Sequence, residues 1–403
     1  MNRRRFLEIS AGAALLPAAG CAGSLVTAGG EGRAPGARAR LRDLGIAVGD
    51  LPPGRHNAIT DVPGVAVGHT TLIRGDGPLV RGQGPIRTGA TAVLPHRGDL
   101  AAEPVAAADF NLNGNGELTG LGPLRRTGFL GAPVLLTDTG SVGVAYSAAL
   151  AHLLASSPQL FERPFRPEPV VGETWGDFLH DTAGGHLRVE HVRAAIDGAA
   201  GGPVAEGSVG GGTAMRAYRF KAGIGTASRL VQLGDRTCAL GVLVQANCGR
   251  RDQLTVLGVP VGREMADLLP ERGPGGTEPA AGNSLLVIVA TDAPLLPLQL
   301  GWLCKRAALG LARTGGTSTH GSGDLMLAFS TAARGPVDGP RELELVRSSQ
   351  VDPLLSAAVE ATEEAILNSL TAAETMVGRD GNTIHALPLD RLVAVMARYG
   401  RLK

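Results

Sequence analysis

The sequence predicts an α+β layered sandwich, and three observations carry that reading. Candidate strands and helices come in separated runs rather than as a regular alternation with one crossover helix per strand, which disfavours a doubly wound sheet. Several strand-length runs, such as Leu285 to Ala290, are wholly apolar, rich in Val and Ile and bounded by polar residues, as in strands buried on both faces. Gly 59 and Pro 26 are numerous but spread among those runs, so they imply many tight turns rather than disorder. A chain of 403 residues with 44% hydrophobic content can bury a sizeable core, in one large domain or two smaller ones.

Taken in order, the chain opens on an export signal. Arg3-Arg4-Arg5-Phe6-Leu7 matches the twin-arginine pattern, and the apolar segment Ile9 to Ala19 is too short to span a bilayer. Leu16-Pro17-Ala18-Ala19-Gly20-Cys21 resembles a lipoprotein cleavage box with Cys21 as the acylated residue; ordinary signal-peptidase cleavage nearby is the competing reading. Residues 1–40 are therefore expected to be signal and linker, and 41–403 the folded, periplasmic part, free or membrane-anchored. Asp61 to Gly64 reads as a turn before a strand at Val65 to His69, and Gly89 to Pro95 as a second strand. Phe110 to Gly122 is Gly/Asn-rich and polar, a surface turn or a pocket wall. A strand at Ala132 to Leu136 and a small-residue helix at Ser141 to Leu154 follow.

Glu173 and Trp175 close the short apolar run beginning at Val170, and Val189 to Gly198 reads as a helix. The glycines of Glu206 to Gly212 and Lys221 to Arg229 fit neither GxGxxG nor a P-loop, so they read as close-packing positions around a pocket. Ala239 to Ala246 is a buried strand with Asn247 at its end. Arg272 to Asn283 reads as a flexible loop that enters the strand from Leu285, with Ser284 at the junction. On local sequence that serine is a strand-starting loop residue, although a rigid strand could also aim its hydroxyl. Asp292 and Pro294 are read as the start of a helix to Arg313. Asp324 to Ser330 is a strand, Asp352-Pro353 opens a long helix, and Leu389 to Tyr399 forms the last one. In the long helix Leu355, Val359, Ile366 and Leu370 form the expected apolar stripe, and Glu360, Glu363 and Glu364 the wet face.

Composition excludes some functions. Lys+Arg 38 against Asp+Glu 37 leaves no basic field for nucleic acid, and 3% aromatics leaves little surface for stacking bases. Cys21, Cys238, Cys248 and Cys304 form no CxxC pair, and the histidines lack ligand spacing, so neither a metal site nor a cofactor is expected. A disulfide among the last three cysteines stays open.

Several ordered stretches closely resemble the self-processing aminopeptidases of the DmpA/BapA type, also called β-peptidyl aminopeptidases. They are AITDVPGVAVGHTT, RTGATAVLPH, NGNGELTG, ETWGDFLHD, GGPVAEGSVGGGT, GIGTASR, LVQANCGRR, GNSLLVIVATDAPL and HGSGDLMLAFST, covering most of the chain from about residue 41. The resemblance implies a four-layered αββα sandwich, similar to N-terminal nucleophile hydrolases. It implies self-cleavage at Asn283–Ser284 into chains 41–283 and 284–403 that stay associated, and a homo-oligomer, expected to be a tetramer. It implies release of small L-, D- or β-residues from the N-termini of short peptides, amides or esters.

The chemistry of such a cut is coherent. A lone serine hydroxyl is a poor nucleophile and needs a base. Cleavage before Ser284 frees an α-amine on the same residue, with an ordinary pKa of about 7.7–8.0. Nucleophile and base are then locked together, with little orientational entropy left to lose. By the resemblance, Ser322 would hydrogen-bond Ser284 and orient its amine, and Asp324 would polarise Ser322. Asn247 would serve the oxyanion hole. Read locally, each of the three is equally a turn or strand-end residue. Trp175 stands where the family usually has Tyr; an indole N–H can donate but not accept, so pocket shaping and plain packing both remain open. Glu117 and Glu173 are candidates for the substrate's free amine, or else solvated loop carboxylates. Rival readings are a hydrolase of ω-amino-acid (nylon-type) oligomers, an ornithine-acetyltransferase-like acyl transferase, which Ser284 in place of Thr disfavours, and a non-catalytic exported binding protein.

Overall fold

The computed structural model describes residues 38–162, 165–274, 283–332, 334–335 and 346–402, and at position 283 the backbone alone. The chain divides into units Met1–Ala34 and Pro35–Lys403. The first, with the twin-arginine segment and Cys21, lies outside the described residues, as does most of the expected loop before Ser284.

In chain order the larger unit contains strands β1 (Ala66–Arg74), β2 (Ile86–Leu94) and β3 (Val105–Gly114), helix α1 (Leu121–Thr127), strands β4 (Phe129–Leu130) and β5 (Val134–Asp138), helix α2 (Val142–Ser156), strand β6 (Val170–Thr174) and helix α3 (Val189–Asp197). Strands β7 (Arg216–Ala217), β8 (Phe220–Lys221), β9 (Ile224–Leu233) and β10 (Arg236–Asn247) follow, then helix α4 (Val261–Glu264), strand β11 (Asn283–Thr291), helix α5 (Pro297–Arg313), strand β12 (Ser322–Ser330) and helix α6 (Asp352–Thr371). Strands β13 (Met376–Val377) and β14 (Thr383–Ile384) and helix α7 (Leu389–Arg398) close the chain.

Two sheets form the centre. One has order β1-β2-β5-β6, the other β4-β3-β12-β11-β10-β9. Helices α2 and α3 cover the first sheet, and α5 and α6 cover the second. The layers are thus helix, sheet, sheet, helix, the expected αββα sandwich. β11 shows how sequence makes layers. Leu285, Val287 and Val289 enter the core shared with α5 and α6. Leu286, Ile288 and Ala290 enter the core between the sheets, with Val134, Leu136 and Val170. A strand with apolar residues at both parities has two apolar faces to cover, which fixes it in the middle of the stack.

Some sequence expectations need correction. The polar stretch from Phe110 is not wholly a loop: β3 runs to Gly114, with a register shift opposite Asp324/Leu325. Asn and Gly are poor strand formers, but Asn113 Nδ2 donates to the carbonyls of Thr319 and His320, both at 3.1 Å, and tethers the strand end to β12's entry. The Gly-rich stretch at 221–229 carries most of strand β9, and its glycines serve close packing: a Cβ on Gly225 would lie 2.0 Å from the Ala365 carbonyl oxygen of α6. Helix α5 begins at Pro297, not at Asp292. An interior Pro297 would lack its N–H and clash with the preceding turn, whereas at the first helical position it fits. Asp292 Oδ1 instead accepts from the Ala239 amide at 2.7 Å.

The supposed wet face of α6 is largely buried. Glu364 is fully buried, accepting from Arg229 Nη2 at 2.7 Å and from Arg42 at 2.8 and 2.9 Å. Glu363 pairs with Arg313 at 2.7 Å. The apolar stripe runs through Leu354, Ala357, Ala358, Ala361 and Ala365 and on through the expected Ile366 and Leu370, with Leu355 and Val359 only half-buried. Cys238, Cys248 and Cys304 are buried, and no disulfide joins them.

Candidate active site

Ser284 stands near the start of β11, between antiparallel β10 and parallel β12. Its register partners are Asn247 on β10 and Gly323 on β12. By the alternation of β11, the Ser284 side chain shares the face of Leu286, toward the other sheet. It is 5% exposed, and its Oγ accepts from the Gly323 amide at 3.2 Å. Position 323 requires glycine, because an added Cβ would meet the Asn115 carbonyl oxygen at 2.7 Å.

Asn247 lies directly across the ladder from Ser284, so the two side chains share a face. Its Oδ1 accepts from the Arg216 amide at 3.1 Å, and its Nδ2 donates to the Trp175 carbonyl at 3.0 Å. That fixes the plane of the amide and leaves one Nδ2 hydrogen for another acceptor. Trp175 follows β6 and contributes here through its backbone, while the residue is 40% exposed.

Ser322 and Asp324 alternate to the opposite face of the sheet, with Leu285 and Met326. Ser322 Oγ donates to Asp324 Oδ2 at 2.7 Å, and Ser318 Oγ donates to the same oxygen. The hydrogen bond of Ser284 Oγ therefore goes to Gly323, not to Ser322. The Ser284 nitrogen, however, follows position 283, whose partner on β12 is Ser322. The register thus sets Ser322 beside position 283 and Asp324 beside Leu285, on either side of the Ser284–Gly323 pair. Asp324 is fully buried, and its Oδ1 has no hydrogen-bond partner of good geometry. Burial raises its pKa against the opposing pull of the Ser318 and Ser322 hydroxyls and the Leu285 backbone. Cys248, immediately after Asn247, lines a small polar crevice with Ser318, Ser322 and Asp324, and burial pushes its thiol pKa up.

Glu173 ends in the same region from the other sheet. It is 7% exposed; Oε1 accepts from the Glu117 amide at 3.1 Å and Oε2 from the Thr139 hydroxyl. Burial raises its pKa, with the Thr139 and Glu117 hydrogen bonds pulling the other way. The loop carrying Asn115 and Gly116 bridges Glu173 to β12: Asn115 N–H donates to the Ser322 carbonyl at 3.1 Å. A Cβ on Gly116 would lie 3.2 Å from both Glu173 Oε1 and Gly323 Cα. The Glu117 side chain is exposed, and its contact with Glu173 is made by its backbone.

The structure therefore gathers Ser284, Asn247, Ser322 and Asp324 at one end of three adjacent strands, with Glu173 and the Trp175 carbonyl facing them from the second sheet. Sequence reasoning missed Ser318, Thr139 and the Arg216 and Gly323 amides. Ser318 alone had a faint signal, the hydroxyl-rich run TSTHGSGD. The backbone donors had none.

The model of peptidase family S58 matches residues 57–384. The chain is 45% identical over 375 residues to the β-peptidyl aminopeptidase BapA of Sphingosinicella xenopeptidilytica, covering 90% of this chain and 92% of that protein. Among solved structures it is similar to the PH0078 protein of Pyrococcus horikoshii, with a TM-score of 0.85 and 44% identity over 90% of this chain and 100% of the other. It is also similar to the L-aminopeptidase D-Ala-esterase/amidase of Ochrobactrum anthropi, a prototype serine aminopeptidase with a variant of the Ntn hydrolase fold, at a TM-score of 0.83 and 40% identity over 90% of this chain and 99% of the other. With this architecture and a match over most of its length, the chain belongs to peptidase family S58 and is a hydrolase of the aminopeptidase kind.

Proposed function

We propose that the protein cuts its own Asn283–Ser284 bond and then uses Ser284 as an N-terminal nucleophile to release small N-terminal residues from short peptides, amides or esters. The observation that carries this reading is the register: Ser284 stands near the start of a rigid central strand, faces Asn247 across one ladder, and is paired across the other with Gly323, the residue between Ser322 and Asp324. The similarity to a β-peptidyl aminopeptidase favours β-residues as well as α-residues among the substrates.

In the precursor, Ser284 Oγ attacks the Asn283 carbonyl carbon, and the C–N bond breaks as the nitrogen takes a proton. Water then hydrolyses the resulting ester, freeing the Asn283 carboxylate and the Ser284 hydroxyl beside the α-amine released by the shift. In the mature enzyme that amine accepts the Oγ proton as Oγ attacks the substrate carbonyl, and passes it to the departing amine. Water repeats the sequence on the acyl-enzyme. The spare Nδ2 hydrogen of Asn247 donates to the oxyanion, an interaction whose loss costs about 2.7–4 kcal/mol. Ser322, held by Asp324, orients the amine. Glu173, buried and close to Gly323, receives the substrate's ammonium group, while Trp175 forms a pocket wall. Glu117 positions Glu173 through its amide. The N-terminal segment directs twin-arginine export to the periplasm, with Cys21 as a candidate lipid anchor, and the cleaved pairs assemble into a homo-oligomer.

Denaturing electrophoresis and N-terminal sequencing test the reading. Wild-type protein should give two chains, the smaller beginning Ser-Leu-Leu-Val, and should release nitroaniline from Ala- or β-Ala-nitroanilide. Ser284→Ala should give one inactive band. A single uncut band in wild-type protein would overturn the reading; hydrolysis of 6-aminohexanoate oligomers in preference to both nitroanilides would replace its substrate class.

A further inference from the structure

Ser318 is four residues before Ser322, in the loop between α5 and β12, and belongs to no element. Its Oγ donates to Asp324 Oδ2, the oxygen that also accepts from Ser322 Oγ at 2.7 Å. Its φ is +49°, in the left-handed region that a non-glycine residue occupies at a cost. Neighbouring contacts hold it there. Thr314 Oγ1 meets the Tyr218 hydroxyl at 2.6 Å, and Gln253 Nε2 donates to Thr317 Oγ1 at 3.1 Å. The carbonyls of Thr319 and His320 accept from Asn113, and the Ser322 amide donates to the Thr319 carbonyl at 2.8 Å. A strained residue anchored from both sides, with its side chain on a buried acid, has the form of a positioning device.

We infer that Ser318 is a positioning residue of the active site: its hydroxyl holds the Asp324 carboxylate in the orientation in which Ser322 can serve the nitrogen of Ser284. A carboxylate oxygen accepting two hydroxyls is fixed in direction as well as compensated in charge. With Ser318 as the second donor, the upward push of burial on Asp324 is opposed and Ser322 keeps its hydrogen on Asp324. The Ser322 oxygen is thereby left free to accept from the amine. The other titratable groups facing Asp324 are the Cys248 thiol and the Tyr218 hydroxyl, both raised by burial and therefore neutral, so neither replaces Ser318 as a charge partner. This role rests on the proposed function for its catalytic meaning, but not for its measurement.

The carboxyl band of Asp324, assigned by infrared difference spectroscopy against Asp324→Asn, gives its titration midpoint in cut or uncut protein alike. Removing one charge-assisted hydrogen bond in Ser318→Ala should raise that midpoint by about one pH unit. Ser318→Gly, which relieves the backbone but also lacks the hydroxyl, should raise it equally, and Ser318→Thr should restore it. An unchanged midpoint in the Ala and Gly variants overturns the assignment, as does a Gly variant that titrates like wild type, because strain rather than the hydroxyl would then be responsible. In cut protein the Ala variant should lower kcat with little change in KM. If wild-type protein proves uncut, the infrared result still decides the role of Ser318 while the functional reading falls separately.

Discussion

Replacing Asn247 by alanine removes a side chain that is 1% exposed and ties β10 to β7 and to the residue after β6. Two partners are orphaned, the Arg216 amide and the Trp175 carbonyl. Each costs roughly 1–3 kcal/mol if it stays buried and unpaired, so the variant should unfold at a lower urea concentration than its parent. Lost with them is the one free Nδ2 hydrogen, the proposed oxyanion donor. At about 2.7–4 kcal/mol this corresponds to roughly a hundredfold to thousandfold in kcat. The same donor would serve the tetrahedral intermediate of self-cleavage, so precursor should accumulate and convert more slowly by a similar factor. Asn247→Asp separates the effects: it keeps the acceptor for Arg216 but turns a carboxylate toward the oxyanion, and should lose at least as much activity. Cut Asn247→Ala protein whose kcat for Ala-nitroanilide is of the same order as the parent's would refute the oxyanion role.

Glu173→Gln keeps the shape and the bond from the Glu117 amide, and its NH2 can donate to the Thr139 hydroxyl in a reversed bond, but it removes the charge; the KM for free-amine substrates should rise by roughly tenfold or more, with N-acylated substrates unaffected, and equal effects on both would remove Glu173 from amine recognition. Glu364→Ala leaves the fully buried Arg229 guanidinium, among the described residues, with Glu360 at 2.9 Å as its one salt-bridged carboxylate, and should cost about 3–5 kcal/mol in urea unfolding. Burial alone would raise the pKa of Glu364, but the Arg42 and Asn57 hydrogen bonds and the Arg229 and Arg42 charges hold it below its ordinary 4.5. A depressed carboxyl stabilises the fold above its unfolded pKa and loses that contribution as the pH falls through the folded one, so acid should destabilise wild type more than Glu364→Ala. Gly323→Ala should abolish self-cleavage by driving apart β12 and the Asn115–Gly116 loop, seen as a single band from folded protein.

The legibility of the sequence varied with the range of the interaction. β11 was readable because both of its faces are apolar, and an apolar run of strand length has few other homes. Ser284 could be placed at the strand's start for the same reason, but its significance came only from the ordered motifs shared with a known family. The face of α6 was misread because glutamate is normally wet. Arg229, whose burial on β9 makes Glu364 an interior residue, is more than a hundred residues away in sequence, and periodicity has no access to it. β9 was obscured by Gly223 and Gly225, which look like loop residues until α6 is seen to press on the strand. Ser318 and the Arg216 amide act through loop closure and a backbone donor, and neither leaves a pattern at fixed spacing.

The parity of the strands gives the proposed cut a structural reason. Ser284 Oγ and Asn247 occupy the face between the sheets, whereas Ser322 and Asp324 occupy the face toward the helices. A hydroxyl and an acid on opposite faces of one sheet cannot act as a direct nucleophile–base pair, whatever their distance along the ladder. The backbone nitrogen of Ser284 lies in the plane between them. As an amide it has no basic lone pair; as a free amine it can accept from Oγ on one side and be held through Ser322 on the other. In the proposed mature enzyme, cleavage thus does more than expose a nucleophile. It converts the nitrogen on the same Cα as the nucleophilic side chain into a base, which only a cut directly before Ser284 can do.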